Sequence, residues 1–469
     1  MNIVVLSDLK SNNIKIKIYK HLGFKKFLTG VTRLNYLKYF DIFLYTLVIS
    51  FFTLLRIIKN GFPWFIENFK IENIPFGDLI YDTNVRFHHR YINPKIDFYF
   101  IKLLILSIFR ILLILRYFEK YKIKKLVTST ENYSLNSGIG IRIAIFKKIQ
   151  HYFTGRTNSG DLEIASLTQK GLRLGHDNIK NNKIFQKFKK FKPSVKNIEK
   201  FYNHRKETIK NGYSWTMDTF KNANKKSNNG KKFLNKISKM KNRKILFAAH
   251  AFSDAPHQKG INYVFNDFYN QFKETLEHVN KNDNDNIWIF RSHPSSYLFN
   301  EQLIFRNMIQ KYKKKNIFLC PSGVPIKKLY NICDIVITGS GTVGLEFICE
   351  GKQAILAGSS GYSIKRLTSY LAQNKKDYFR FIDDIKRLKY PNKMQILLAK
   401  KILYFFESGS YLVKRIEIQE VLGDSICKKF FLKNWGHGLN LKNYLSLSHS
   451  LLKRNILKSQ VFKKISKIS

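Results

Sequence analysis

Five short apolar runs recur through the second half of the chain: ILFAAHAF from Ile245, IWIF from Ile287, IFLC from Ile317, IVIT from Ile335 and AILA from Ala354. Each is too short for a buried helix, and helix-length stretches lie between them. Apolar runs without polar alternation suit strands buried on both faces, and strands alternating with helices build parallel βαβ units. An α/β fold with a parallel sheet is therefore expected from residue 244 onward. Such sheets take ligands at the carboxyl ends of their strands. The polar residues of this half gather there: His250 to His257, Arg291-Ser292-His293-Pro294, Gly339 to Gly344 and Gly358 to Tyr362.

At 469 residues the chain exceeds a single core, so several domains are expected. With 44% hydrophobic residues, 40 Phe and 25 Tyr, it has ample material for packed interiors and is not a disordered chain. The composition divides it at about 1–180, an α/β portion with amphipathic apolar helices; 181–243, a basic polar helix and linker; 244–400, a Rossmann-like domain; and 401–469, a basic helical tail. Within the first portion KLVTST before Glu131 reads as a strand, and GIGIRIAIFK, Gly138 to Lys147, as a helix.

The four cysteines form no CxxC and read as reduced structural thiols, with no zinc site. The start, MNIVVLSD, is strand-like and lacks the features of a secretory signal. Ile42 to Leu55 is apolar but too short to span a bilayer, and Phe98 to Leu115 is interrupted by Lys102 and Arg110. Buried or interfacial helices are expected at both places.

Lys plus Arg is 83 against 32 for Asp plus Glu, a formal charge of +51. Part of this reflects a Lys-, Asn- and Ile-rich usage. The rest implies polyanionic surroundings: nucleic acid, an anionic membrane face or phosphorylated substrates. A nucleic-acid-binding protein is the alternative from another class, but RNP, KH, zinc-finger and basic-heptad signatures are lacking and the charge is spread along the chain.

In ITGSGTVGLEF, Ile337 to Phe347, a strand enters a small-residue turn and a helix follows. Amides at a helix start favour an anion, and Ser340, Gly341 and Thr342 let a phosphate approach. The plain alternative is an ordinary turn with Thr342 as N-cap. His293, stiffened by Pro294 and beside Arg291, makes the opposite jaw of a phosphate clamp. Glu346 suits ribose hydroxyls, or else it is a solvated glutamate at the helix start. Tyr362 is placed to stack on a base. Asp254 and His257, three apart after the first strand, are the expected base or acceptor-orienting pair, with Asp254 holding the imidazole; Glu131 is the rival base.

These residues resemble a family. Residues 244–385, through ILFAAHAFSD, the HP pair of RSHPSS, DIVITGSGTVGLEFICEGKQAILAG and Tyr362, look like the capsule-polysaccharide biosynthesis glycosyltransferases. These are GT-B enzymes related to Kdo and sialic-acid transferases and, more distantly, to CDP-glycerol polymerases. IPFGDLIYDTNVR (Ile74 to Arg86) and ENYSLNSGIGIRIA (Glu131 to Ala144) also look family-like, without assignable chemistry. The resemblance implies two Rossmann-like domains facing a cleft. It implies that His293, Ser340, Gly341 and Thr342 contact the phosphate of a cytidine nucleotide. Arg291 and Ser292 stand where relatives often carry Lys-Pro.

The expected function is transfer of a sugar from a nucleotide sugar to a polysaccharide or lipid-linked acceptor. The reaction is expected to be inverting and to need neither metal nor cofactor. It is expected at the cytoplasmic face of an anionic membrane, with peripheral attachment. An epimerase of the same fold, acting on a nucleotide sugar without an acceptor, is the second alternative.

Overall fold

The computed structural model describes residues 39–88, 94–128, 133–167, 188–211, 228–257 and 263–408, with short gaps, and isolated strands at 4–7, 26–29 and 414–416. Glu131 and the tail beyond 416 lie outside the described residues. The N-terminal portion runs β1 (Val4–Ser7), β2 (Lys26–Thr29), α1 (Phe40–Asn68), β3 (Lys70–Ile71), β4 (Ile74–Pro75), α2 (Gly77–His88), α3 (Phe98–Lys120), β5 (Lys125–Thr128), α4 (Gly138–Phe146), β6 (Gln150–Arg156) and β7 (Leu162–Leu167). Next come α5 (Val195–Asn211) and α6 (Asn228–Ser238). The C-terminal half runs β8 (Lys244–Ala248), α7 (Phe268–Asn282), β9 (Ile287–Arg291), α8 (Glu301–Lys311), β10 (Ile317–Leu319), α9 (Ile326–Ile332), β11 (Ile335–Thr338), α10 (Thr342–Cys349), β12 (Gln353–Leu356), α11 (Lys375–Asp383) and α12 (Lys393–Glu407), and β13 (Lys414–Ile416) follows.

All five apolar runs of the C-terminal half are strands. They form one parallel sheet in the order β10-β9-β8-β11-β12. Residues alternate between its two faces. Ile245, Phe247, Trp288, Phe290, Ile335, Ile337 and Ile355 join one core, while Leu246, Ile287, Ile289, Val336, Ala354 and Leu356 join another. The second core is closed by α6, α9, α10 and α12. Phe201 of α5 stacks on Tyr404 of α12 at 4.5 Å. The first core runs without a break into the N-terminal helices, from Ile42 of α1 to Leu388. The α/β class and the apolar N-terminal helices are as the sequence implied. The described residues before 211 hold one four-stranded mixed sheet, in the order β13-β7-β6-β5 with β13 from the far end of the chain, and no second doubly wound sheet.

Helices α1 and α3 lie antiparallel. The Tyr39 and Tyr117 hydroxyls meet at 2.6 Å at one end, and the Phe62 and Phe100 rings pack 5.0 Å apart at the other. Helix α1 reaches well beyond the run Ile42 to Leu55, with a break at Gly61 (φ 79°) before Pro63. Both helices are long and apolar enough to cross a membrane by length and composition alone, and most of the apolar window of α3 is buried in the protein. Arg110, one of the two charges within Phe98 to Leu115, is buried against protein and donates to Ser134 O at 3.4 Å.

Helix α2 is the buried centre of the N-terminal portion: every residue from Gly77 to Val85 is buried. A Cβ on Gly77 would stand 1.8 Å from Phe65 O, so the closing turn admits only glycine. The buried Asp78 forms two bonds of 3.0 Å with Arg142 of α4, which also donates to Pro75 O at 2.8 Å. Charges this deep persist only when paired and hydrogen-bonded. Asp78→Ala strands the Arg142 guanidinium in the core and is expected to cost about 3–5 kcal/mol in urea denaturation. A loss under about 1 kcal/mol, the level of an exposed pair, means the pair is solvated.

Candidate active site at the strand switch

Strand β8 pairs with β9 on one side and β11 on the other, and the order of the sheet reverses there. Loops leaving β8 and β11 turn to opposite faces and open a crevice at their carboxyl ends. His250 sits in it. Its ring stacks on Phe268 at 4.2 Å, and its Nε2 accepts the Ser340 N–H at 3.2 Å. Nε2 therefore carries a lone pair and the proton is on Nδ1. Burial, with the His293 imidazole nearby, holds this imidazole down at about 4, against an opposing pull from Asp254. It is neutral at physiological pH.

The turn after β11 is packed against this ring. A Cβ on Gly339 would meet Phe268 at 2.8 Å and His250 at 3.0 Å, and one on Gly344 would meet the Tyr362 hydroxyl at 2.7 Å. Helix α10 starts with Gly341, not Thr342, as N-cap, and no side chain caps it. Thr342 is exposed at its first position. The amide of Ser340 is already used by His250.

His293 lies across the crevice, its ring parallel to His250 at 6.2 Å. Its Nδ1 accepts the Ser295 N–H at 3.2 Å and lies 2.6 Å from Ser295 Oγ. That leaves Nε2 as the N–H donor of the neutral ring. Burial and Arg291 lower its pKa, and Asp254 opposes them. Nη1 of Arg291 is buried with no hydrogen-bond partner among the described residues. A buried guanidinium nitrogen without an acceptor is uncommon in a finished fold. The structure thus gathers Arg291, His293, Asp254, Ser340, Gly341 and Thr342 around one crevice.

Three expected residues do other work. Tyr362 is buried, and its hydroxyl donates to Gly341 O; it braces the turn from below and presents no face to a base. Glu346 accepts from Arg205 Nη2 at 2.7 Å and from the Tyr330 hydroxyl, so its carboxylate fastens α5 to α10 and is not open to a ribose. His257 is not held by Asp254. Its Nδ1 lies 2.7 Å from Asp82 Oδ1, and its N–H donates to Asp82 Oδ2 at 3.1 Å. Asp254 is turned elsewhere because its Oδ1 accepts the adjoining Ala255 N–H at 3.1 Å.

Sequence reading missed the partners that shape the loop after β8. Asp82 comes from IPFGDLIYDTNVR; burial pushes its pKa up, and His257 opposes this. Its neighbour Tyr81 donates to Asp267 Oδ2 at 2.8 Å, and burial pushes that carboxyl up to about 6. Glu301, buried at the start of α8, accepts from the amides of Phe252 at 2.9 Å and Ser253 at 2.7 Å. Among the described residues no three His, Cys, Asp or Glu side chains gather closely enough to hold a metal ion.

The lowered pKa of His250 sets a pH dependence. A folded value near 4, below the ordinary 6.5, gives stability that is complete above pH 6.5 and lost as pH falls through 4. Asp267, raised to about 6, runs the other way over the same window, so the parent chain alone mixes the two. In His250→Gln an amide oxygen can still accept from Ser340 without titrating. Between pH 6.5 and 4 the variant is expected to lose roughly 3 kcal/mol less than the parent in denaturant titrations. Parallel losses in the two proteins would contradict a buried neutral His250.

The sheet and crevice agree with a comparison of the whole sequence. A family model described as capsule polysaccharide biosynthesis protein matches residues 167–403. A search of curated proteins finds no match. Among solved structures the chain is similar to the beta Kdo 2,7 transferase KpsC of Thermosulfurimonas dismutans, at 12% identity over 61% of this chain and 79% of that one, with a TM-score of 0.29. It is similar to UDP-GlcNAc 2-epimerase of Methanocaldococcus jannaschii, crystallised with UDP-GlcNAc and UDP, at 14% identity over 65% and 81%, with a TM-score of 0.27. A third likeness is to the wall teichoic acid polymerase TagF, at 15% identity over 45% and 49%, with a TM-score of 0.23. The matched segment takes in the entire doubly wound sheet and every residue of the crevice from His250 to Tyr362, and the chain belongs to the capsule polysaccharide biosynthesis family.

Proposed function

We propose that the chain is a glycosyltransferase that moves a sugar from a nucleotide-activated donor, with a cytidine nucleotide as leaving group, to a glycan or lipid-linked acceptor at the cytoplasmic face of the membrane. The observation that carries this reading is the pair of unspent donors at the strand switch: Arg291 Nη1, buried and unpartnered, and His293 Nε2, freed by the Ser295 contact to Nδ1. Both belong to the segment that ends β9, and the start of α10, after β11 of the same sheet, has no side-chain cap. As the bond from the anomeric carbon to the phosphate oxygen breaks, its electron pair stays on the phosphate. Fixed donors in a poorly hydrated crevice stabilise that growing charge.

The acceptor hydroxyl attacks the opposite face of the anomeric carbon and gives up its proton. In this reading Asp254 takes it. Its carboxylate is half-buried and lies close enough to both imidazoles to raise their pKa values. His257, held by Asp82, sets the shape of the loop that carries Asp254. A metal or cofactor has no assigned part, because Arg291, His293 and the α10 amides meet the leaving-group charge.

His293→Ala is expected to weaken CMP or CDP binding by about 10- to 150-fold in calorimetry, the value of a lost charge-assisted bond. Unchanged affinity removes the phosphate from this crevice. Asp254→Asn is expected to bind donor normally and to turn over at least about a hundredfold more slowly. Normal turnover moves the base elsewhere, and release of a free isomerised nucleotide sugar points to an epimerase.

A further inference from the structure

Helix α1 is turned inside out. Its protein-facing stripe is Ile42, Thr46, Ser50, Thr53 and Ile57, all buried. Its outward stripe is Leu44, Leu47, Val48, Phe51, Leu55 and Ile58, each 39–69% exposed. A surface helix of a water-soluble protein does the reverse, with its apolar stripe inward. Two of the three buried hydroxyls are satisfied within the helix, and Ser50 Oγ has no hydrogen-bond partner among the described residues. Thr46 donates to Ile42 O at 2.8 Å and Thr53 to Ile49 O at 2.7 Å, both within the helix. Small residues on that side let two helices approach closely, as they do where the surrounding solvent is lipid.

We propose that the outward face of α1 lies in the hydrocarbon edge of an anionic bilayer, along the surface and not across it. Orientation follows from packing. Arg56 and Lys59 interrupt the exposed stripe, and past the break at Gly61 the helix turns back into the protein, where Phe62, Phe65 and Ile66 join the core that holds the parallel sheet. A helix with such a face and flanking cations settles at the headgroup boundary. The one acidic residue at its start, Asp41, is paired with Arg116. A net charge of +51 complements anionic headgroups and disfavours the same face of a second copy. This placement differs from the peripheral, charge-held attachment expected from composition, and it is independent of the sugar-transfer reading.

The test is flotation of the full chain with vesicles of phosphatidylcholine alone or mixed with phosphatidylglycerol, at about 0.15 M and about 1 M sodium chloride. The chain is expected to float with the mixed vesicles and mostly to remain bound at the higher salt. The double variant Phe51→Asp, Leu55→Asp changes exposed positions only, and an unchanged urea-denaturation midpoint serves as the folding control. It is expected to bind vesicles at least about tenfold more weakly. Release of the parent chain by salt alone overturns insertion in favour of surface charge. Failure to float, with self-association that the double variant abolishes, assigns the face to a second copy. Failure to float without self-association means that another part of the chain covers it. Each of these three results rejects the proposal.

Discussion

The hydrogen bond from the Ser340 amide to His250 Nε2 joins the two loops that leave the strand switch in opposite directions. A doubly wound sheet opens a crevice there but does not fix its width. The neutral imidazole does, by accepting from the turn after β11 while its ring is clamped on Phe268. Protonation would replace that acceptor with a donor facing a donor. Burial prevents this, and the same burial explains why Gly339 has no room for a side chain. The His293 ring lies parallel to this imidazole at 6.2 Å, and α10 begins two residues after the bonded Ser340.

The opposite wall is supplied by α2, which brings the N-terminal helices against the C-terminal loop through Tyr81–Asp267 and Asp82–His257. Polar pairs this deep add little net stability compared with well-packed apolar residues, because desolvation offsets most of the attraction. Their physical value is directional. An apolar contact would tolerate sliding of α2 along the loop, whereas a carboxylate held by both the side chain and the amide of His257 fixes the register. Glu301, accepting two successive amides, fixes the same loop from the other side.

The sheet was legible because strands buried on both faces must be written as continuous apolar runs, and IVIT at 335–338 is buried at all four positions. The crevice followed from topology, since the polar residues gather after the strands. Side-chain partnerships were not legible. Asp82 and His257 lie 175 positions apart, and Arg205 and Glu346 lie 141 apart, so no local spacing announces either pair. His257 was assigned to Asp254 because those two are neighbours in sequence, but the loop turns Asp254 back on the Ala255 amide. The loop GSSGYS places Tyr362 after a strand where a base could stack, while its packing against Gly344 depends on a helix whose position the sequence does not state. In α1 the apolar run was visible, but which side faced the protein was not.

The break at Gly61 divides α1 into two arms with different attachments. The long arm carries the exposed stripe, while beyond the break Phe62, Phe65 and Ile66 sink into the core shared by α2 and the parallel sheet. Phe62 packs at 5.7 Å on Tyr81, which bonds Asp267 at the N-cap of α7. The short arm is thus a bracket with its fixed end at the wall of the crevice. Whatever surface the long arm meets, the mouth of the site is held at a set height and tilt above it. If the proposed acceptor is anchored in that surface, it meets the crevice after a constant reach, with the bracket acting as a gauge of that distance.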